Sequence, residues 1–500
     1  MSKKPHIIII NPDQWRGDVM GHLGDPSAVT PNLDAFARRE AVSFRHAYCQ
    51  TPQCTPSRGS FMSGWYPHVR GYRSMGRLLR PDDNNLLQSL KEGGYHVWWG
   101  GKNDLSDPAV GFDHCCDVKY SSSYGNIHDP EAEPPQPLYT NDRQSEWRTP
   151  GTDDYYSFFI GRIDKGEAPY YRDYDWACVE GALKAIREHD EDKPLCLFLA
   201  LSYPHPPYGV EEPWFSQIDR SKIPPRIPAP ENWEGKAAVL RSYAEQAGMQ
   251  TWTEERWNEL RAVYRGMCAR VDHQFGLIVD ALREKGFYDD SAVFFFSDHG
   301  DFCGDYGLVE KQEVAYEDCL TRVPFLVKPP ADVPVEPGTR DTLVELVDFP
   351  ATVEALADVQ MHHPHFGRSL LPVLADPARH HRDFVVAEGG RLASEPHMLN
   401  AASRGNPPDR DNIYYAKIAA INARLEHCGR SVMLRRSDYK YIRRLYESDE
   451  LYDLREDPAE LHNRINDPAL QDLRRDLESQ LLQFLFETSD VVPAEIHRRE

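Results

Sequence analysis

Residues 291–301 read SAVFFFSDHGD. The apolar run is too short for a typical helix and breaks at once into acid, imidazole and glycine. It predicts a strand buried on both faces that delivers its polar residues at its carboxyl end. The same pattern recurs in HIIIINPDQW from residue 6 and in PLCLFLALSYPHPPY from 194. It recurs again in YHVWWGGKND from 95, which follows the helix-like NNLLQSLKEGG. Strands of this kind predict an α/β fold around a mainly parallel sheet, with the functional site at the carboxyl edge.

Between the strands at 194 and 291, Trp257, Leu260, Tyr264, Met267, Val271, Phe275, Ile278 and Leu282 recur at steps of three and four. They mark one face of a long helix that Gly286 stops. Residues 120 to 175 are rich in Ser, Tyr, Asp and Pro and read as a long surface excursion, a wall of the cleft rather than a domain. From 431, SVMLRRSDYKYIRRLYESDELYDL alternates as hairpin strands do, and DPALQDLRRDLESQLLQFLFETS forms a terminal amphipathic helix. The chain therefore divides into a catalytic domain, 1–375, and a C-terminal subdomain, 376–500, with a small antiparallel sheet and a helix on it.

The chain has 500 residues, enough for a large α/β core and a second unit. Its 79 acidic against 57 basic side chains give a net charge of -22, which excludes a general nucleic-acid binder. An anionic substrate is still allowed, since a few cations or a metal reverse the field inside one cleft. Four isoleucines near the amino terminus are too few for a signal peptide, and no segment is long and apolar enough to span a bilayer. Cytoplasmic residence is the expectation. The ten cysteines follow no zinc or disulfide framework and are expected to be reduced.

Asp13 and Gln14 follow the first strand, and Asp298 and His299 follow a later one. Parallel strands could join both pairs at one edge. Two carboxylates, an amide oxygen and an imidazole suit calcium, manganese or magnesium better than a thiolate zinc centre. Capped helix ends and structural histidines would produce the same residues. Lys102, His205 and Lys311 stand after strands and, with Arg58, could surround an oxyanion or protonate a departing oxygen. Cys54 opens QCTPSRGSFMSG, 53–64, just before a helix. From its position alone it is a buried filler, half a disulfide, a thiolate nucleophile or a precursor.

CTPSR at 54–58, with SG at 63 and 64, resembles the signature of the formylglycine-dependent sulfatases of the alkaline phosphatase superfamily. TPNLDAFARREAVSFRHAY from 30, GWYPHVRG from 64, SDHGD from 297, EKQEVAYEDCLTRVPFLV from 310 and ELYDLREDPAEL from 450 are similar to further landmarks, in order along the whole chain. The resemblance implies an alkaline-phosphatase-like three-layer sandwich. It also implies that Cys54 is oxidised by a formylglycine-generating maturation enzyme. The hydrated aldehyde then offers one hydroxyl as nucleophile, while the other expels sulfate. Carried over residue by residue, Asp13, Gln14, Asp298, His299 and residue 54 hold one divalent metal, Ca2+ in the first instance and Mn2+ as the alternative. Arg58 steadies the cluster, Lys102 and Lys311 hold sulfuryl oxygens, and His205 contacts the ester oxygen.

Two features depart from the usual sulfatase pattern. GKNDL stands where many sulfatases read GKWHL, so Asp104 replaces a histidine. The Asp-Gln/Asp-His shell resembles that of phosphonate monoester hydrolases. The expected function is thus a sulfuric ester hydrolase acting on a small or oligosaccharide sulfate ester. A phosphonate monoester or phosphodiester hydrolase is the alternative, and a catalytically silent ligand-binding homologue comes third. Tyr208, Trp214, His68 and Tyr72 line a substrate pocket or pack in the core. The segment near 481 covers its own sheet or joins a partner, so an oligomer is allowed.

Overall fold

The computed structural model describes residues 4–120, 155–190, 192–398 and 410–492. The main sheet contains β1 (His6–Asp13), β2 (Val42–Tyr48), β3 (His96–Gly101), β4 (Val118–Tyr120), β6 (Leu195–Pro204), β8 (Ser291–Phe296), β9 (Arg322–Val323), β10 (Phe325–Lys328) and β11 (Gly338–Glu345). Its order is β11-β2-β10-β8-β1-β6-β3-β4, with β9 beside β2. β1 runs parallel to β6 and β8, and β3 to β6 and β4, whereas β10 is antiparallel to both of its neighbours. The sheet is mainly parallel, as the apolar runs predict.

Both faces of the sheet are covered, which explains why its strands are apolar without alternation. Ile8, Ile10, Leu197 and Phe295 pack on one side with Trp257, Leu260, Val271 and Phe275 of the long helix Glu254–Lys285. Ile7, Ile9, Phe198, Phe294 and Phe296 pack on the other with Phe61, Leu86, Leu90 and Phe349. The long helix ends at Gly286, whose φ of 80° is the left-handed cap that glycine allows. The three layers are those of the expected sandwich.

Part of the expected surface excursion is corrected. Residues 121–154 lie outside the described residues, but the stretch beyond them contains β5 (Phe159–Ile163), which pairs in parallel with β7 (Tyr208–Glu211). Tyr155, Phe158, Phe159, Ile163 and Tyr171 are buried in the main core. Their apolar spacing is too short and irregular to stand out from the polar residues around it.

A second sheet, antiparallel, joins β12 (Val385–Gly389), β13 (Ser431–Arg435), β14 (Tyr439–Arg444) and β15 (Glu450–Asp453). Its alternation is plain. Val386, Val432, Leu434 and Tyr441 face Leu477, Leu481 and Phe484 of the terminal helix Gln471–Glu487, while Ala387, Met433 and Ile442 face Tyr316. The terminal helix therefore covers its own sheet, with Leu482 and Phe486 left on its outer face. All ten cysteines are buried and none is disulfide-bonded among the described residues. No helix among the described residues is long and apolar enough to cross a membrane.

His68, in the short helix Pro67–Arg70, ties that helix to the small sheet and to the end of the terminal helix. Its Nδ1 is 2.6 Å from Glu388 Oε1 on β12, and its Nε2 is 2.8 Å from the Thr488 carbonyl. Burial pushes the imidazole down, but Glu388 outweighs it and leaves the pKa above the ordinary 6.5. The folded state thus holds this proton more tightly than the unfolded chain. The stabilisation is complete below the ordinary value and fades as pH rises through the folded one. His68→Gln is expected to cost about 1–3 kcal/mol in urea unfolding near pH ~5.5 and less near pH ~8.5. A cost that does not change with pH contradicts the charged pair.

Candidate active site and metal centre

The strand register sets the site. Asp13 closes β1 opposite Pro204 of β6, so His205 follows beside it. Asp298 and His299 lie just beyond β8, the other neighbour of β1. Side chains lock these ends together. Asn11 Nδ2 donates to the Phe296 carbonyl at 2.7 Å, the Trp15 amide to Ser297 Oγ at 2.8 Å, and the Gln14 amide to Asp298 Oδ1 at 3.1 Å. Gln14 turns at a φ of 72°, a left-handed conformation uncommon outside glycine.

Cys54 is the first residue of the wholly buried helix Cys54–Ser63. Pro56 fits there because the first turn has no intrahelical partner for its missing N–H. Gly64 ends the helix at a φ of 69°, where a Cβ would meet His365 at 2.8 Å. Ser57 Oγ donates to the Asp298 carbonyl at 2.6 Å, fixing the helix against the metal loop. Arg58 reaches both carboxylates, with Nε 3.0 Å from Asp298 Oδ2 and Nη2 3.1 Å from Asp13 Oδ2. The Cys54 Sγ lies 3.2 Å from His299 Nε2, 3.6 Å from Asp13 Oδ1 and 3.5 Å from Lys102 Nζ.

Donor atoms of Asp13, Cys54, Asp298 and His299 all lie within 4.8 Å of one another, and all four residues are buried. His299 commits Nδ1–H to the Gly300 carbonyl at 2.9 Å, so its Nε2 offers a lone pair. Burial holds this imidazole below its ordinary value. Burial also pushes Asp13 up, but Lys102 and Arg58 outweigh it and keep the carboxylate ionised. Gln14 Nε2 donates to Asp301 Oδ2 at 2.6 Å, and its Oε1 accepts from Lys311 Nζ at 2.7 Å. Arg58 Nη1 is buried with no acceptor among the described residues. An orphan donor of this kind costs about 1–3 kcal/mol, which marks a site built around an oxygen that the chain does not supply. Carboxylate, amide and imidazole donors fit a divalent cation of calcium or manganese type.

The remaining expected residues converge here. Lys102 Nζ is 2.5 Å from Asp13 Oδ2 and 3.1 Å from Asp104 Oδ2, so Asp104 restrains the lysine where a histidine was the usual residue. His205 gives Nδ1–H to the Pro206 carbonyl at 2.6 Å. Burial, then Lys311 and Lys102, hold its pKa well below the ordinary value, which leaves Nε2 as an acceptor. Burial and then Asp13 push the Cys54 thiol up to about 12. A thiol this reluctant to ionise is a poor nucleophile.

Of the two roles open to Tyr208, Trp214, His68 and Tyr72, the structure gives them the packing one. Tyr208 is fully buried and bonds both Asp301 oxygens at 2.9 Å. Trp214 packs in the core, His68 holds Glu388, and Tyr72 bonds Asp83. The polar tips of Tyr208, His68 and Tyr72 are satisfied inside the protein. Asp301 and Glu310, which position Gln14 and Lys311, were passed over although they sit within SDHGD and EKQEV. A cavity of 590 Å³ beside His96, Trp98, Lys184 and Leu195 opens at the amino ends of β3 and β6, away from this edge.

The fold and site define a buried, cation-lined hydrolase centre on an alkaline-phosphatase-type sheet. The sulfatase family model matches residues 5–359, and the chain belongs to that family. A model of the C-terminal part of N-sulphoglucosamine sulphohydrolase matches residues 397–486. The chain is 25% identical to the ulvan-active sulfatase of Formosa agariphila over 97% of its own length and 82% of that protein's. It is 24% identical to the choline-sulfatase of Rhizobium meliloti, over 93% and 83%. The crystal structure of a phosphonate monoester hydrolase of Agrobacterium radiobacter shares the fold, with a TM-score of 0.74 at 22% identity, covering 97% of this chain and 96% of that one.

Calorimetric titration of chelator-treated protein is expected to detect about one Ca2+ or Mn2+ per chain. Asp298→Asn and His299→Ala should each weaken that binding by roughly 10-fold or more. Undiminished binding in both variants contradicts the assignment.

Proposed function

We propose that this protein is a sulfuric ester hydrolase that cleaves sulfate monoesters at sulfur, releasing alcohol and sulfate, with Cys54 as the precursor of formylglycine. The observation that carries the reading is the setting of Cys54. Its thiol is buried, held protonated first by burial and then by Asp13, and packed among metal-type donors with Lys102 and Lys311 beside it. Converted by a maturation enzyme, residue 54 supplies a hydrated aldehyde, one hydroxyl to attack sulfur and one to release the product. A divalent ion held by Asp13, Gln14, Asp298, His299 and residue 54, Ca2+ or alternatively Mn2+, supplies Lewis-acid neutralisation of the transferred group.

The chain's own residues divide the remaining work. Arg58 keeps Asp13 and Asp298 together and oriented. Lys102 and Lys311 flank residue 54 and bind the non-bridging oxygens, where charge accumulates as the ester bond breaks. His205 rests neutral with Nε2 toward the site. A sulfuryl group bound between Lys102 and Lys311 offsets the two charges that, after burial, keep His205 neutral. The imidazole then gains affinity for a proton that it can deliver to the departing oxygen.

A second reading, hydrolysis of phosphonate monoesters or phosphodiesters, is favoured by the Asp-Gln/Asp-His shell and by the fold shared with a phosphonate monoester hydrolase. Matured protein is expected to hydrolyse 4-nitrophenyl sulfate with kcat/KM at least ~10-fold above that for an aryl phosphonate monoester. The reverse order transfers the assignment to the second reading. In labelled water the heavy oxygen should appear in sulfate and not in the phenol. Cys54→Ser, which lacks the second hydroxyl, should lose roughly 10³-fold or more in turnover. Retained turnover contradicts the proposed nucleophile.

A further inference from the structure

A charged cluster beside the site comes from a part of the chain that carries no motif. Glu310 is 1% exposed and adopts a φ of 60°. Its Oε1 accepts from Lys311 Nζ at 2.6 Å and lies 4.0 Å from His205 Nε2. Its Oε2 accepts from the Lys311 amide and from Lys417 Nζ, both at 2.7 Å. Lys417 belongs to the helix Tyr415–Ala423, between β12 and β13. Tyr414, at the head of that helix, packs at a tilt against Phe158 with ring centroids 5.1 Å apart. Burial and then Glu310 push its phenol up, while Lys311 and Lys102 oppose.

Lys417 has 15% of its side chain exposed, and Glu310 is its one hydrogen-bond partner among the described residues. An ammonium carries three donors, so two have no partner among the described residues. The acceptors around it are engaged. Both Glu310 oxygens take N–H groups, and Glu313, the other carboxylate that Lys417 influences, accepts from Gln53 Nε2 at 2.6 Å. Lys417 therefore offers N–H donors and positive charge, while its carboxylate partner is already shared with Lys311. That is the complement of an oxyanion rather than of a sugar hydroxyl.

We propose that Lys417 is a specificity residue that receives a second oxyanion on the leaving alcohol, so that preferred substrates are sulfate esters carrying a carboxylate or a further sulfate. This rests on the sulfatase reading above. Glu310 holds the Lys417 ammonium at a fixed distance from Lys311, and the spacing between the scissile sulfate and the second anion follows from that.

The test compares kcat and KM for 4-nitrophenyl sulfate, a carboxylated nitrophenyl sulfate and a nitrophenyl disulfate. Wild-type protein should favour at least one doubly charged ester by about 10-fold, mainly through KM, with the preference shrinking at high salt. The favoured ester identifies the source of the second anion. Lys417→Met should abolish the preference, affecting the doubly charged ester more than the simple one, and Lys417→Arg should retain it. Absence of any preference in wild type overturns the proposal. So does an equal loss of kcat on all three esters in Lys417→Met, which indicates a role through Glu310 alone. If only phosphonates are turned over, the sulfatase reading fails. The same comparison on simple and carboxylated phosphonate monoesters then decides the role of Lys417.

Discussion

Arg58 holds Asp13 and Asp298 together in the interior, with Nη2 3.1 Å from one carboxylate and 3.0 Å from the other and 1% of its side chain exposed. The two acids stand at the ends of adjacent parallel strands, where backbone register alone would leave like charges close together and out of water. Desolvation makes such an arrangement costly unless a fixed cation answers it. The guanidinium can do so because the Cys54 helix docks on the same edge, tied by Ser57 to the Asp298 carbonyl. Sheet register, helix placement and the position of Cys54 thus share one ion cluster. Loss of one partner of a buried pair costs about 3–5 kcal/mol, so the site and the stability of this edge are not separable.

The small sheet supports the same edge from behind. Gly300 donates its N–H to the Leu320 carbonyl at 2.7 Å, and Asp301 to that of Cys319 at 2.9 Å. A Cβ on Gly300 would stand 2.0 Å from the Cys319 oxygen, so the approach requires glycine. The neighbouring Asp318 is held by Lys440 Nζ at 2.8 Å and Arg435 Nη2 at 3.2 Å, both from the antiparallel sheet. The loop bearing Asp298 and His299 is thereby clamped between the two sheets. The two lysines of the site are held in a similar way: Lys102 sits between Asp13 and Asp104, and Lys311 between Gln14 and Glu310. A lysine with its entropy already removed costs less to engage with substrate.

Much of this was legible in the sequence because burial on both faces leaves uninterrupted apolar runs, as in β1 and β8. Polar residues directly after such runs had one place to go. Cys54, Asp13, Gln14, Asp298 and His299 accordingly meet at one edge, with Lys102, His205 and Lys311 around them. Other features have no local signature. β10 is as apolar as its parallel neighbours, and its reversed direction depends on the path of residues 297–324, which periodicity does not encode. β5 is masked by polar surroundings. Tyr208 and His68 look like recognition residues in sequence, yet each is consumed by a buried carboxylate that lies far away along the chain. Lys417 was illegible for the same reason, since its meaning comes from Glu310, more than a hundred residues earlier.

The central claim is that Cys54 is a precursor. It is tested most directly by digesting protein made in a host able to mature sulfatases and weighing the peptide that contains residue 54, with and without a hydrazine reagent. The account predicts a peptide carrying an aldehyde that the hydrazine traps. A peptide that retains an unmodified thiol, from a host that converts a control sulfatase, would contradict it and leave Asp13, Gln14, Asp298 and His299 as a metal site without a nucleophile.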